Sequence, residues 1–213
     1  MSSIHNPYRQ WPALIGITGL AGTGKDTVRT ILEDAGYTGF AFADPIRSML
    51  RELLTSSNID DKYMDSREFK EAIIPELGVS YRQMAQTLGT EWGRTLHPDL
   101  WLRLATSYMY GQMDAGGQQF CISDVRFENE AQWIRNHDGV VWHIERPGVE
   151  PVNTHISEQG INAIKADAVI FNAGTVGELY HQVMAALDMD YPRYSVDIDA
   201  IHRTRKPVTG GPL

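Results

Sequence analysis

One segment near the start of the chain constrains the fold more than any other. Residues 19–27 read Gly-Leu-Ala-Gly-Thr-Gly-Lys-Asp-Thr and match most of the phosphate-loop pattern. The apolar run Ala13–Thr18 precedes them and predicts a strand, while Val28, Ile31 and Leu32 follow at helical spacing. In a glycine-rich loop between a strand and a helix, backbone N–H groups and the helix N-terminus can bind phosphate. The sequence therefore predicts an α/β domain with a phosphate-binding loop.

The loop residues are the predicted binding site for the triphosphate of ATP. They are Gly19, Ala21, Gly22, Thr23, Gly24, Lys25, Asp26 and Thr27. Lys25 is expected to reach the β and γ oxygens. The common pattern has a hydroxyl directly after the lysine, where Mg²⁺ is held, but this chain has Asp26 there and Thr27 one position later. We therefore expect a water-bridged Mg²⁺, in a form of loop familiar from nucleotide kinases.

Strand and helix patterns alternate along the rest of the chain. Short apolar runs at Phe40–Ala43, Phe120–Asp124, Gly139–Glu145 and Ala168–Phe171 predict further strands, with helical patterns between them. Runs that are apolar on both faces are typical of parallel strands covered by helices on both sides. The pattern predicts a parallel sheet of about five strands.

Two helices have clear start signals. Asp44-Pro45 predicts the beginning of one helix, and Pro98 predicts the beginning of another. The expected apolar faces are Ile46, Met49, Leu50 and Leu53 in the first helix, and Leu100, Trp101, Leu104 and Tyr108 in the second.

Two segments depart from the regular alternation. Residues Thr55–Val79 are polar and poorly periodic, and we expect a mobile excursion that closes over the substrate to exclude water. Residues 189–213 lack an apolar stripe and are predicted to be a tail or docking arm, with a homodimer as the candidate assembly. The predicted organisation is one domain at 1–188, with a substrate-binding excursion at about 55–98, and the tail.

The charge of the chain limits its partners. Among 213 residues, 27 are acidic and 19 are basic, which gives a net charge of −8. An acidic protein repels polyanions, so we expect no direct binding to nucleic acid. Of the 19 basic residues 14 are arginines, whose planar forks suit bidentate binding of phosphate or carboxylate. A small phosphorylated substrate fits both facts.

The composition also bears on the compartment. The longest run without charged residues, Gln10–Gly24, is too short and too rich in Pro, Gly and Thr to cross a bilayer. The first ten residues lack a signal-peptide pattern, and the single cysteine, Cys121, has no internal partner for a disulfide. We expect a protein of the reducing cytosol with no membrane contact.

A set of short motifs lies in order along most of the chain. They are the phosphate loop, Phe42–Arg47, Tyr81–Thr90, Asp99–Trp101, Ser123–Arg126 with Asn129 and Glu130, Glu145–Gly148, Thr154–Glu158 and Asp167–Asn172. Together they resemble the phage-type deoxynucleoside monophosphate kinases over Ala13–Leu187. The resemblance implies the three-layer P-loop kinase fold, and transfer of the ATP γ-phosphate to a deoxynucleoside 5′-monophosphate.

Arginines are the expected catalytic cations of such a transfer. Two polyanions must meet in line, so positive charge has to neutralise the acceptor phosphate and the migrating group. Four arginines lie near predicted helix starts or strand ends, where ligands gather in α/β sheets: Arg47, Arg82, Arg94 and Arg126. The resemblance favours Arg82 and Arg126 as phosphate clamps. It also assigns Gln86, Gly89, Thr90 and Glu130 to the acceptor site.

Three further residues have two interpretations each. Asp124 ends a predicted strand, where it is expected to orient Mg²⁺ through water and join Lys25, Arg82 and Arg126 as a catalytic residue. Its alternative role is the N-cap of the following helix. Glu130 is expected to hold Arg126 or the substrate, or else to be a solvated carboxylate. Trp101 either stacks on the acceptor base or packs in the core.

Residues after the last two predicted strands complete the expected site. The resemblance assigns Arg146 and Asn172 to ATP, near its adenine. His155 is expected to fix a turn by hydrogen bonds, because transfer between phosphates has little use for a general base.

Two other functions remain compatible with the loop. One is a different small-molecule kinase that resembles dephospho-coenzyme A kinase, which shares the loop and the Asp-X-X-X-X-Asn-X-Gly ending at 167–174. The other is a non-enzymatic nucleotide-gated assembly or DNA-packaging module, because a phosphate loop indicates that a nucleotide binds and does not indicate how the protein uses it.

Overall fold

The computed structural model describes residues 11–150 and 165–191. His155, its motif and nearly all of the predicted tail lie outside the described residues. The strands are β1 Leu14–Thr18, β2 Thr38–Phe40, β3 Ile73–Ile74, β4 Val79–Ser80, β5 Phe120–Ile122, β6 Val140–Glu145 and β7 Ala168–Phe171. The helices are α1 Lys25–Asp34, α2 Asp44–Ser56, α3 Arg67–Glu71, α4 Tyr81–Gln86, α5 Gly93–Leu96, α6 Leu100–Asp114, α7 Glu128–Asn136 and α8 Val176–Leu187. A 3₁₀ helix spans Asp61–Met64, and a π-helix, Thr87–Trp92, joins α4 to α5.

Five of the strands form one parallel sheet in the order β2-β5-β1-β6-β7. All five residues of β1 are buried, as a central strand requires. One face of the sheet packs against α2, α6 and α7, and the other against α1 and α8. The predicted three-layer parallel fold is confirmed. Strands β2 and β5 lie on one side of β1 and β6 and β7 lie on the other, so the chain reverses its direction across the sheet at β1. The carboxyl edge beside β1 is therefore a topological switch point, where such folds bind ligands.

The second strand ends earlier than the sequence predicts. Strand β2 stops at Phe40, and the remaining apolar residues, Ala41 and Phe42, are buried in the loop that follows. The prediction of a strand at Phe40–Ala43 was therefore wrong in its bounds. A short apolar run indicates that its residues are buried, but burial alone does not distinguish a strand from a packed loop.

Helix α2 buries a different face from the one expected. Its core residues are Ile46, Leu50 and Leu54, whereas Met49 and Leu53 are exposed by more than two fifths. The buried set recurs every fourth residue, so it follows one helix face more closely than the predicted set does. The two exposed side chains line an apolar groove together with Leu50, Val79, Gln83, Met84, Thr87, Leu88 and Trp92.

Helix α6 shows a similar shift. Trp101 is buried as predicted, but Leu104 and Tyr108 are exposed, and Ala105 and Met109 occupy the core instead. Small and sulfur-containing side chains here pack beneath the sheet, which a search for large apolar residues does not detect.

The predicted excursion has its own ordered elements. Ser66 caps α3 by accepting from the Phe69 N–H at 3.2 Å, and Ser80 caps α4 by accepting from Gln83 at 3.1 Å. Strands β3 and β4 pair antiparallel between these helices. Within the part of the chain that is described, no helix has the length and apolar character needed to span a membrane.

Adjacent leucines of α2 give a matched test of this packing. Leu54 is fully buried, so Leu54→Ala should lower the free energy of unfolding by about 2–5 kcal/mol through lost contacts and a cavity. Leu53 is 44% exposed, so Leu53→Ala should cost no more than about 0.5 kcal/mol. Urea unfolding of both variants measures the difference. Equal losses would contradict the observed helix face.

Candidate active site

The phosphate loop lies at the turn between β1 and α1, as predicted. Gly19, Gly22 and Gly24 all have positive φ angles, of 138°, 86° and 102°. At Gly24 an added Cβ would also lie 2.3 Å from the Asn172 amide nitrogen, so this position has no room for a side chain. Lys25 begins α1, and its ammonium donates to the carbonyl oxygens of Gly19 at 2.8 Å and Leu20 at 2.7 Å.

Asn172, which directly follows β7, connects the phosphate loop to that edge of the sheet. Its side-chain amide donates to the Thr23 carbonyl at 2.8 Å, and its backbone N–H donates to the Glu145 carbonyl at 2.7 Å. The second bond continues the pairing of β6 and β7 one residue beyond β7. The predicted ATP residue thus lies against the phosphate loop, where it fixes the conformation of a loop carbonyl.

Asp124 makes the corresponding connection on the other side of β1. It follows β5, is only 5% exposed, and accepts from the backbone N–H groups of Phe42 at 2.9 Å and Ala43 at 3.1 Å. These two residues form the loop between β2 and α2. The N-cap of α7 is Phe127, so Asp124 does not have the capping role that was its alternative.

Two of the predicted arginines lie on helices that border this side. Arg47 on α2 pairs with Asp44 at 2.8 Å, and nearly half of its side chain is exposed. Arg82 on α4 lies 3.6 Å from the Glu71 carboxylate of α3 and is largely buried. The contact between Arg82 and Glu71 joins α3 to α4, the helix that carries this predicted phosphate clamp.

Lys70 is a candidate residue that the sequence analysis missed. Burial lowers the pKa of its ammonium, and the nearby positive charges of Arg47 and Arg82 lower it further, whereas Asp26 of the phosphate loop opposes the shift. Positive charges from α2 and α4 and the negative charge of the phosphate loop therefore all act on Lys70 of α3. Lys70 lies in a five-residue helix without apolar periodicity, so only the folded arrangement reveals it.

Arg94 and Glu130 form a buried ion pair. The guanidinium donates to the Glu130 carboxylate at 2.6 Å and to Asn129 Oδ1 at 3.3 Å, and it lies 3.6 Å from the centre of the Phe127 ring. The other carboxylate oxygen of Glu130 accepts from the N–H groups of Arg126 at 2.8 Å and Phe127 at 3.1 Å. Glu130 is therefore not a solvated carboxylate.

Burial also changes the acidity of Glu130. It raises the pKa of the carboxyl to about 7, and the neighbouring Asp124 charge acts in the same direction, against Arg94 and the two N–H donors. In the unfolded chain a glutamate has a pKa of about 4.3. The folded state thus binds this proton more tightly than the unfolded chain does. The contribution of the protonated carboxyl to the free energy of unfolding is therefore fully present below about pH 4, and it is lost as the pH rises through about 7.

Trp101 lies in the core below the π-helix. It is 4% exposed, its Nε1 donates to the Gly89 carbonyl at 2.6 Å, and a Cβ on Gly93 would lie 2.3 Å from its ring. This position favours packing over stacking on a base. Gln86, Gly89 and Thr90 are half-buried on the same helical segment.

The remaining predicted residues lie at the same edge of the sheet. Arg126 is half-buried in the loop between β5 and α7, and Arg146 is exposed directly after β6. A cleft between α1 and α8 opens beside the phosphate loop. Helix α8 lines this cleft with Val176 and Tyr180, which are exposed apolar side chains. The sequence analysis did not assign these two residues to the site.

A phosphate loop at the switch point of a five-stranded parallel sheet, with cations from neighbouring helices beside it, defines a P-loop kinase. The fold is similar to the crystal structure of TT1252 from Thermus thermophilus, with a TM-score of 0.50 and 18% identity, over 84% of this chain and 97% of that one. The sequence profile of the deoxynucleotide monophosphate kinase family matches residues 56–183. The chain belongs to this family.

Two relatives support the assignment. A protein of Acanthamoeba polyphaga mimivirus, provisionally named deoxynucleotide monophosphate kinase, is 34% identical over an alignment of 189 residues that covers 82% of this chain and 96% of the relative. The deoxynucleotide monophosphate kinase of Enterobacteria phage T4 is 28% identical over 109 residues, which are 51% of this chain and 45% of that enzyme. The chain is an ATP-dependent nucleotide kinase, as predicted, and these relationships support that function over the two alternatives.

The contact between Asn172 and Thr23 predicts a loss of ATP binding when it is broken. Asn172→Asp removes the donor and brings a carboxylate oxygen against the Thr23 carbonyl, which should cost about 1–3 kcal/mol. The rise in thermal midpoint caused by ATP should shrink accordingly. Asn136→Asp, at the exposed end of α7, is the matched control. An unchanged response to ATP in Asn172→Asp would refute the role of this contact.

Proposed function

We propose that this kinase binds its donor and acceptor on opposite sides of β1. The observation that carries the proposal is the pair of side-chain bridges at the carboxyl edge of the sheet. Asn172 bonds the loop after β1 from the β7 side, and Asp124 bonds the loop after β2 from the β5 side. The two bridges leave the phosphate loop between them, at the switch point.

ATP binds on the β6–β7 side. The N–H groups of Gly22 and Gly24 and the start of α1 surround its β-phosphate, and Lys25 leaves the carbonyls of its own loop for the β and γ oxygens. The fixed positive φ angles of the loop and its bond to Asn172 support this fit. The adenosine extends towards Arg146 and the cleft between α1 and α8.

The deoxynucleoside monophosphate binds on the β2–β5 side. Arg82 and Arg126 clamp its phosphate, and Arg47 and Lys70 add positive charge. The electrostatic effects of Arg47, Arg82 and Asp26 on Lys70 support this arrangement, because they indicate that three cations lie near the phosphate loop despite the acidic charge of the whole chain.

The reaction depends more on bringing the acceptor phosphate close to the γ-phosphate of ATP than on proton transfer. An anionic oxygen of the acceptor phosphate forms a bond to the γ-phosphorus, and the bond from that phosphorus to the β–γ bridging oxygen breaks, so ADP leaves with the electron pair. Lys25, Arg82 and Arg126 offset the repulsion between the two nucleotides and hold them in line. Closure of the excursion over both would exclude water, which otherwise competes as acceptor.

Mg²⁺ fits the oxygen donors near the loop. Asp124 has two carboxylate oxygens that each accept one N–H, Asp26 lies in the first turn of α1, and Thr27 brings a hydroxyl. A hard cation that keeps several waters is suited to such a set, with Asp124 acting through water. When bound, the ion neutralises charge on the β- and γ-phosphates.

The partners follow from charge. A net charge of −8 supports a nucleotide substrate over direct binding to nucleic acid. The buried free thiol of Cys121 supports a reducing cytosol as the site of action. A homodimer formed through residues 189–213 stays a prediction.

Lys25 and Arg126 give the principal test. ATP consumption is measured with each of the eight common ribo- and deoxyribonucleoside monophosphates, for the wild type, Lys25→Ala and Arg126→Ala. Both variants should lose turnover, and Arg126→Ala should raise the KM of the acceptor more than that of ATP. Turnover that does not depend on a nucleoside monophosphate would contradict the proposed reaction.

Lys70 gives a second test. Lys70→Met should raise the acceptor KM by roughly ten- to a hundredfold, since a hydrogen bond to a charged group contributes about 1.5–3 kcal/mol. Lys62→Met removes an exposed lysine of the same excursion and should leave the kinetics unchanged. Steady-state kinetics at saturating ATP separates the two. If Lys70→Met and Lys62→Met have the same acceptor KM, Lys70 is not part of the acceptor site.

A further inference from the structure

The carboxylate of Glu130 holds two segments that carry predicted phosphate clamps. One oxygen accepts from the backbone N–H groups of Arg126 and Phe127, at 2.8 Å and 3.1 Å. The other accepts from Arg94 at 2.6 Å. Arg126 follows the end of β5, beyond the sheet ladder, and Glu130 supplies an acceptor for its N–H there. The carboxylate therefore fixes the backbone from which the Arg126 side chain extends.

Arg94 belongs to the helical segment that carries the other clamp. Helix α4, the π-helix and α5 run without interruption from Tyr81 to Leu96, with Arg82 near one end and Arg94 near the other. The Arg94 guanidinium bonds Glu130 and Asn129 and covers the Phe127 ring, so its polar edge and one face are already engaged. Arg94 is thus bound to the loop of Arg126.

We propose that Glu130 and Arg94 are positioning residues that set the distance between the two phosphate clamps, Arg82 and Arg126, and do not contact the substrate. This inference rests on the proposed function of Arg126. A clamp made of two arginines from separate segments needs a rigid connection, because small displacements of catalytic groups are costly in rate. The buried ion pair is such a connection, and it is only 3% exposed at Glu130.

The groups that face Glu130 make its charge testable. Arg94 approaches from α5, Asp124 from the end of β5, and the two N–H donors from the loop that precedes α7. Because burial raises the pKa of Glu130 to about 7, its carboxyl is largely ionised at pH 8 and mostly protonated at pH 6, while Arg94 keeps its charge at both. Glutamine has the shape of the neutral acid at every pH.

The experiment compares Glu130→Gln with the wild type across pH. At pH 8 the variant should lose roughly ten- to a hundredfold in kcat/KM for the acceptor, with the KM of ATP unchanged. At pH 6 this deficit should be smaller, because the wild-type carboxyl is then largely protonated. Titration of the acceptor phosphate affects both proteins alike and cancels in the ratio. Glu128→Gln, in the first turn of the same helix but exposed, is the control with wild-type kinetics.

A double-mutant cycle tests the path through Arg126. If Glu130 acts through that clamp, Glu130→Gln should cost much less in an Arg126→Ala background than in the wild type. Additive losses, or a deficit that is equal at pH 6 and pH 8, would overturn the inference. If Arg126→Ala itself keeps full activity, the proposed function fails instead, so the two failures are distinguishable.

Arg94→Lys is the second variant, in case Glu130→Gln does not fold. It retains the positive charge but lacks the fork that reaches Glu130 and Asn129 together. A loss in acceptor kcat/KM with a normal ATP-dependent thermal shift supports the positioning role. Wild-type kinetics in this variant would overturn it.

Discussion

The candidate active site lies at the carboxyl edge of the sheet. Its structure depends on side chains that supply hydrogen-bond partners for the backbone where the strands end. Beyond its last paired residue, each parallel strand leaves backbone groups without partners, and buried groups of this kind are costly. Asp124, Asn172 and Glu130 supply partners for such groups at 2.8–3.1 Å. The contacts of Asp124 and Asn172 join loops that are distant in sequence, and the second carboxylate oxygen of Glu130 reaches the distant Arg94. The same polar contacts that stabilise this edge therefore fix the relative positions of the loops that bind substrate.

This arrangement explains how an acidic chain concentrates positive charge. The cations near the phosphate loop come from α2, α3, α4 and the loop after β5, and carboxylates hold several of them, as Asp44 holds Arg47 and Glu71 holds Arg82. Acidic residues thus orient the arginines without preventing them from meeting a phosphate, which carries more charge than one carboxylate. The net charge of the whole chain and the charge of its site are separate quantities.

Sequence reasoning succeeded where the determinant is local. The phosphate loop and four of the five parallel strands depend on neighbours within a few positions, and they were found at or near their predicted bounds. It failed where packing decides. Met49 and Leu53 are as apolar as the buried residues of α2, and only the position of α4 determines which face is covered. The proximity of Lys70 to Arg47 and Asp26 likewise depends on how the excursion folds back.

The arginines illustrate why a motif indicates a site better than it assigns roles. Arg94 was predicted near a helix start or strand end, as Arg82 and Arg126 were, but its guanidinium bonds Glu130 and Asn129 and lies over the Phe127 ring. A guanidinium has five N–H donors in one plane, so a bidentate phosphate contact needs an edge that protein acceptors have not already taken. The acceptors around Arg94 therefore favour a positioning role for this residue over a bidentate phosphate contact. The acceptors around each guanidinium decide which arginine can bind the substrate and which one holds the site together.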